Sequence, residues 1–457
     1  MSSKAPHAAL VAPPKPKPVR ARKPGANTNG AQFDEFWAYL PDHKYIYVPT
    51  AELWPAASVD SRLPPVDVPM HAKPILASKY LDQTRAVQQM VWAPGEPTVI
   101  ENRLMADGGW IPHTGARSFN LYRAPLPPLP TAAGMDASPW VRHVEYVFGA
   151  EADHIIKWLA HRVQLPHEKV NHALVLGGAQ GVGKDTLLEP LKQAIGASNF
   201  AEVSPQQVLG RFNGFLKSVI LRISEARDLG EADRFSFYDH MKAYTAAPPD
   251  VLRVDEKYLR AHSILNVTGI IITTNHKSDG IYLPADDRRH FVAWSPRTKE
   301  DFPPGYWPGI YKWFAQGGRD AVAHYLGSLD LSGWDAKAPP AKTQAFWEIV
   351  DASRASEDAE LADALDKLGR PEAVTLDWIT TKAPMEFRDW LRDRRNRRKI
   401  PHRFEECGYV PVREPHGKDG LWVIGGRRQT VYARKELVLR DQIACAAKVT
   451  PSPPPGK

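Results

Sequence analysis

Cysteine is nearly missing: Cys407 and Cys445 are the only two in 457 residues. Two isolated thiols exclude a disulfide scaffold and offer no paired-cysteine zinc site, which points to a reducing compartment. Long apolar runs are missing too. No stretch approaches the roughly 20 uninterrupted apolar residues of a membrane helix, so no membrane partner is expected. The N-terminus has basic residues with no apolar core behind them, unlike a secretory leader. Acids are missing where some chemistries need them. Residues 1–30 hold six Lys or Arg and no Asp or Glu, and residues 34–130 lack the spaced carboxylates that would hold two metal ions for nucleotide polymerisation.

What is present is basic, proline-rich and long enough for several cores. The formal charge is +7, which favours a polyanionic partner or simply a soluble basic surface. The chain reads as a disordered basic arm (1–33), a β-rich accessory module (34–135) and a helical collar (136–170). An α/β nucleotide domain (171–330), a connector (331–370), a basic winged-helix-like α+β domain (371–440) and a tail (441–457) follow. The module is expected from short aromatic and β-branched runs ("KYIYVPT", "PTVIENRL") broken by Pro and Gly. In the collar, Ile155, Trp158, Leu159 and Val163 fall at helical spacing. From 170 to 330 apolar strands, expected near 173–177, 217–224, 267–274 and 290–294, alternate with helices, the pattern of a mostly parallel sheet flanked by helices.

The most specific stretch is "LVLGGAQGVGKDTLL" (174–188). Gly178, Gly183 and Lys184 meet the G-x-x-x-x-G-K pattern, and Gly181 adds backbone freedom. Such a loop, between a strand and a helix, turns successive N–H groups toward phosphate while the lysine reaches the β- and γ-phosphates. "SVILRISEARD" places Glu225 at the tip of another buried strand. There it can polarise an attacking water and help hold magnesium, or be an ordinary strand-end acid. "NVTGIIITTNHK" stops at Asn275, a polar sensor or a turn residue. "PADDRRHFVAW" places Arg288 and Arg289 before a strand. Paired arginines act on a neighbouring protomer's nucleotide in many phosphoryl-transfer enzymes, but pairs with Asp286 or Asp287 locking the loop would serve equally well.

In that order these segments, together with "KAYTAAPPDVLRVDEKY", resemble the helicase domain of phage and prophage primase–helicases, the virulence-associated or plasmid–phage replication type. Those domains resemble superfamily 3 helicases, an AAA+ branch that forms rings on single-stranded DNA. The likeness runs from about 137 to 330, with similar texture to 435. It implies an ATP- and Mg²⁺-dependent DNA helicase that translocates on single-stranded DNA and opens forks in phage replication, in the bacterial host cytoplasm. It also implies a homo-hexamer and a pore hairpin within "VDEKYLRAHSIL", whose candidates for DNA contact are Lys257, Arg260 and His262, with Tyr258 able to stack on a base; a plain surface hairpin is the alternative for each of them. Because residues 34–130 lack the acids, a separate primase is the expected partner.

Two positions depart from the general pattern. Asp185 stands where the loop normally has a magnesium-binding hydroxyl, with Thr186 next, and Ser224 stands where an Asp often precedes the catalytic acid. An exchange would reconcile them, the carboxylate moving to the loop and the hydroxyl to the strand. Asp185, Thr186, Ser224 and Glu225 would then surround the metal with hard oxygen ligands.

Between Lys382 and Arg440 there are 16 Lys or Arg and 8 Asp or Glu, a net of +8. Phe387, Trp390 and Leu391 give a helix an apolar seam, and Arg392, Arg394, Arg395, Arg397, Arg398 and Lys399 crowd the rest of it. Arg427 and Arg428 follow in an expected hairpin. Contact with a phosphate backbone, strongly salt dependent, is the functional reading; a charged solvent face is the alternative. Two rival functions stay open: a nucleic-acid-stimulated ATPase for DNA loading or packaging, and a DNA-binding regulator that holds nucleotide without turnover.

Overall fold

The computed structural model describes residues 30–69, 71–125, 136–224, 230–257, 259–277, 280–417 and 419–453, leaving aside the side chains of 230–235, 353–357, 386 and 395. Two compact units divide the chain, the first within 30–91, 96–106 and 110–121 and the second taking the rest.

In the first unit β1 (Phe36–Tyr39), β2 (Lys44–Tyr47) and β3 (Glu52–Pro55) form an antiparallel meander, and β4 (Ala86–Val87) pairs parallel to β1. Two helices interrupt the strands, α1 (Ala56–Arg62) and α2 (Ala77–Thr84). The sequence gives little sign of them because helices of 7 and 8 residues are too short to display a helical period. They are held by Asp60, which accepts from the Ser78 backbone N–H at 2.8 Å and its hydroxyl at 2.9 Å. Phe36, Tyr45, Val59, Leu63 and Leu81 make the core between them. A second sheet pairs β5 (Gln89–Val91), β6 (Val99–Ala106) and β7 (Gly109–Asn120).

The second unit opens with α3 (Ser138–Phe148) and α4 (Ala152–Gln164). Trp140, His143, Val144, Val147 and Phe148 bury one face of α3, the i, i+3, i+4, i+7 stripe of an amphipathic helix. Then come β8 (Ala173–Gly177), α5 (Lys184–Leu188), α6 (Leu191–Ala194), β9 (Phe200–Val203), α7 (Pro205–Leu209), β10 (Ile220–Ile223) and α8 (Gly230–Thr245). The hairpin β11 (Val251–Val254) and β12 (His262–Leu265) precedes β13 (Gly269–Thr274) and β14 (His290–Trp294). Strands β14-β8-β13-β10-β9 form one sheet, parallel throughout. Every residue of β8 and β13 is buried, so each reads as an unbroken apolar or small run instead of alternating. Their carboxyl ends share one edge, where open α/β sheets bind ligands. β10 is shorter than the expected 217–224. A 3-10 turn occupies Gly214–Leu216, and the Ser218 hydroxyl donates back to the Phe215 carbonyl at 2.8 Å.

After α9 (Tyr306–Trp313) and α10 (Arg319–Ser328), the expected connector contains a 24-residue helix, α11 (Gln344–Lys367). The Thr343 hydroxyl caps it and also donates to Val292 of β14 at 2.7 Å. The far end of α11 contributes Leu361, Ala364 and Leu365 to the core of the C-terminal part. There β15 (Ala373–Thr375), α12 (Leu376–Lys382), α13 (Met385–Arg392), α14 (Ile400–Glu406), β16 (Tyr409–Val412), β17 (Trp422–Ile424), β18 (Arg427–Gln429), β19 (Val431–Arg434) and α15 (Leu439–Ala446) follow. The sheet order is β15-β19-β16, antiparallel, with β17 and β18 a separate hairpin. Among the described residues no helix is long and apolar enough to cross a membrane.

Candidate functional site

The Gly-rich turn joins β8 to α5 at the carboxyl edge of the sheet. Gly183 has φ of +89°, and a Cβ there would fall 2.4 Å from the His143 ring. Gly178 has φ of +143°, and its Cβ would meet that of Ser295 at 2.8 Å. Both positions combine a left-handed backbone with a neighbour in contact, so glycine is required. His143 of α3 locks the turn from outside, its Nε2 3.0 Å from the Gly183 carbonyl and its Nδ1 2.8 Å from the Tyr306 hydroxyl.

Lys184 is 8 % exposed. Its ammonium donates to the carbonyls of Gly178 (2.7 Å) and Ala179 (2.9 Å) and to Asn275 Oδ1 (2.8 Å). Lysine and asparagine, 91 residues apart, therefore meet at the tips of adjacent strands. Burial draws the Lys184 pKa down to about 8; Asp185 acts against that and Arg222 with it.

Asp185 points to a residue the sequence reading passed over. Arg222, in the middle of β10, donates to Asp185 Oδ1 and lies 3.4 Å from Glu202 Oε1 and 3.3 Å from the Thr273 hydroxyl. An arginine inside the apolar run "VILRIS" was the signal available. Thr186 is buried, its hydroxyl 3.1 Å from that of Tyr311. A cleft of about 360 Å³ is lined by the 180–186 segment, Arg222, Thr273, Thr274, Asn275, Trp307 and Tyr311. Ser224 follows β10 with its N–H bonded to the Val203 carbonyl and is not among the lining residues. Glu225 lies outside the described residues. Among those described, no three His, Cys, Asp or Glu side chains converge as a metal cluster.

Arg288 and Arg289 are at the other edge of the sheet. β14 starts at His290, opposite Ala173 at the start of β8, and its run to Trp294 spans about 13 Å at strand rise. Neither arginine reaches the cleft of its own chain. Asp287 does not pair with their side chains as the loop-locking alternative supposed. It is buried, and accepts from the backbone N–H of Arg289 (2.9 Å) and His290 (3.0 Å) and from the Tyr238 hydroxyl (2.9 Å). Burial would raise its pKa, but these bonds and His290 outweigh it and hold the carboxyl at about 2. Arg288 is exposed and Arg289 half-buried.

The β11–β12 hairpin carries Lys257 and Arg260 in its connecting loop, whereas His262 belongs to β12, opposite Val254. Tyr258 lies outside the described residues. Acids flank the loop: Asp255 pairs with Arg211 at 3.0 Å and Glu256 with Lys217 at 2.6 Å.

The C-terminal arginines are not arrayed along a helix, which corrects the sequence reading. α13 ends at Arg392, and Arg394, Arg395, Arg397, Arg398 and Lys399 occupy the turn before α14. Like charges at this density disfavour a helix, and the turn splays them. Arg394, Arg397, Arg398 and Lys399 are exposed, and Lys399 Nζ sits 5.5 Å from the Tyr282 ring. Arg427 and Arg428 are exposed on β18, Arg428 paired with Asp419 at 2.8 Å.

A family of unknown function, DUF5906, matches residues 176–289, the stretch from β8 to the arginine pair. No curated protein sequence matches. The solved structures do. The chain is similar in fold to the C-terminal region of NrS-1. The apo structure of that region matches with TM-score 0.55 at 14 % identity, over 87 % of this chain and 95 % of that one. A second, A-form apo structure gives 0.52 at 14 % identity over 87 % and 96 %. JCV helicase is matched at 12 % identity over 57 % of this chain and 68 % of that one, with TM-score 0.29, too slight a likeness to carry an argument. The shared architecture thus spans most of this chain.

Proposed function

We propose that this protein is a P-loop ATPase of the AAA+, superfamily 3-like kind that works as a DNA helicase. The observation that carries the reading is the bond between Lys184 and Asn275 beneath a turn that demands glycine at 178 and 183. Strand, turn and helix supply the context the motif needs, and a polar side chain from the next strand closes the cradle. Lys184 and the loop N–H groups hold the triphosphate. Asn275 keeps the ammonium aimed into the cleft and orients the γ-phosphate or the water. Glu225, one position beyond Ser224, is the base or water-orienting group.

Magnesium fits the donors here, since hard oxygens and one or two carboxylates suffice for it. Asp185 offers a carboxylate at the cleft and Thr186 a hydroxyl; Ser224, expected among the ligands, does not line it, and Glu225 would supply the second carboxylate. Bound there, the ion would neutralise charge on the phosphates. Arg222 holds Asp185 in place from below and brings a second protein cation to the cleft beside Lys184. Arg288 and Arg289, far from their own cleft, suit a role on the nucleotide of an adjacent copy in a homo-hexameric ring, where an arginine finger is worth ~10³–10⁵ in rate.

The basic C-terminal domain reads as winged-helix-like, with β15, three helices and the β16–β19 pair in that layout. Its Arg394–Lys399 turn and Arg427 and Arg428 would contact backbone phosphate. The exposed side chains of α14 are His402, Glu405 and Glu406, and Arg403 is spent on Asp358 at 3.2 Å. Phosphate contact by the turn therefore fits better than base reading by the helix. Lys257, Arg260 and His262 are the second DNA-facing group. A separate primase is the natural partner.

The deciding experiment measures ATP hydrolysis and forked-duplex strand separation, with particle mass determined in the same buffer. Wild type is expected to hydrolyse ATP faster with single-stranded DNA and to unwind; Lys184→Ala does neither. Hydrolysis without strand separation would leave a DNA-loading or packaging ATPase. One observation favours a second reading, binding without turnover: the Asp185 carboxylate is already engaged by Arg222. Hydrolysis no faster than that of Lys184→Ala would select it.

A further inference from the structure

The cleft has two chemically different walls. α5 sorts them: Lys184 and Asp185 face the sheet, toward Asn275 and Arg222. Gly183 and Thr186, three residues apart and so on one helix face, look instead toward α9. There Trp307 closes on Gly183, whose added Cβ would lie 2.8 Å from the tip of the indole, and Tyr311 bonds Thr186.

Both aromatics are fixed in place. Trp307 is backed by Phe302 (ring centroids 4.6 Å apart), Tyr306 (5.1 Å) and His143 (6.0 Å), yet remains half-exposed and lines the cleft. Tyr311 is 46 % exposed. Packing explains the back of Trp307, but it does not explain an open tyrosine ring beside an open indole at the mouth of an otherwise polar cleft.

We propose that Trp307 and Tyr311 form the base-binding half of the cleft, taking the purine of a nucleoside triphosphate by stacking. Tyr311, through its bond to Thr186, holds the side of the turn next to the sugar. The inference rests on the reading of the 178–186 turn as a phosphate cradle and adds the recognition of the base. A nucleotide has one anionic end and one flat aromatic end, and the two walls match them. Stacking reads the face of a base and not its edge, so ATP and GTP bind alike, and both bind more tightly than CTP or UTP, whose single rings cover less of the indole.

Calorimetric titration of the full chain in magnesium, with ATP, GTP, CTP and inorganic tripolyphosphate, tests this. Wild type is expected to bind ATP and GTP within threefold of each other and at least tenfold more tightly than tripolyphosphate. Trp307→Ala should weaken ATP about tenfold and leave tripolyphosphate unchanged, while Trp307→Phe stays within threefold of wild type. Tyr311→Ala, on an exposed ring, guards against a folding defect in Trp307→Ala and should also weaken ATP more than tripolyphosphate. ATP binding no tighter than tripolyphosphate, or equal losses for both ligands in the variants, overturns the base site while leaving the phosphate cradle standing. No binding of either ligand overturns both.

Discussion

Lys184 carries most of the site's electrostatics, and its partly desolvated ammonium has a testable signature. With its pKa drawn down to about 8, the free lysine is mostly neutral at pH 9. A triphosphate stabilises the charged form, so binding above pH 8 must take up a proton, and affinity must fall as pH rises through that value. Calorimetry at pH 8.5 in two buffers of different ionisation heat should show uptake of part of a proton per nucleotide. Lys184→Ala should show none from this group and bind at least tenfold more weakly. Its neighbour supplies a second prediction. The Asp185 side chain is 75 % exposed and that of Arg222 14 %, so the pair itself adds no more than about 1 kcal/mol. Asp185→Asn should therefore shift Tm by a few degrees at most. If the carboxylate takes the magnesium role of the missing hydroxyl, the same change raises the Mg²⁺ concentration for half-maximal nucleotide binding about tenfold. An unchanged Mg²⁺ requirement would leave Asp185 as a counter-ion of Arg222 alone.

At the scale of elements, α4 bears on how acid unfolds the molecule. His154 and His161 of α4 and His172, just before β8, surround Trp334. His154 stacks on Phe291 with centroids 3.8 Å apart and meets His172 through a 2.9 Å nitrogen contact. Burial holds all three neutral, drawing His154 to about 4 and His161 and His172 to about 3, with Arg162 acting the same way on His161 and the neighbouring histidines opposing a charge on His172. For a base lowered on folding, the unfolded chain binds more protons, so stability is lost as pH falls below about 6.5 toward the folded values. One such histidine costs about 2 kcal/mol at pH 5, at about 1.4 kcal/mol per pH unit. Tm should fall by several degrees between pH 7.5 and pH 5, and His154→Phe, which keeps the stacking, should lower Tm at neutral pH but flatten that fall. The elements also show what a sequence discloses. β8, β13 and β14 and the turn after β8 are legible because burial forces apolar runs and a left-handed backbone pressed against His143 and Ser295 forces glycines. Arg222, Trp307 and Tyr311 are not, because their role depends on a sheet neighbour and on α9 folding back over α5, contacts with no local period. α11 is hidden likewise: its two ends face different cores, so no single stripe runs its length.

At the scale of the whole molecule, the placement of Arg288 and Arg289 sets the last prediction. Asp287 fixes their loop through backbone N–H bonds and its contacts with Tyr238 and His290, leaving the guanidinium groups for another use. Because the pair sits at the amino edge of the sheet and the cleft at the carboxyl edge, a defect in one need not lie in the same protomer as a defect in the other. In a ring whose cleft borrows its arginine from the next copy, Lys184→Ala and Arg288→Ala/Arg289→Ala are each inactive alone. Mixed in equal amounts they rebuild intact interfaces wherever a protomer with Lys184 meets one with the arginines. A random ring then recovers about a quarter of its interfaces, so ATP hydrolysis should rise from background toward that fraction of wild type, where a dead protomer does not stall its neighbours. Nucleotide binding by the arginine double variant should stay within threefold of wild type, since the cleft of the same chain never meets those side chains. Normal hydrolysis by the double variant would remove the arginines from the chemistry and return them to DNA contact or to the surface. Weak hydrolysis with no rescue on mixing, in rings shown by mass to exchange subunits, would mean that the cleft draws no help across the junction.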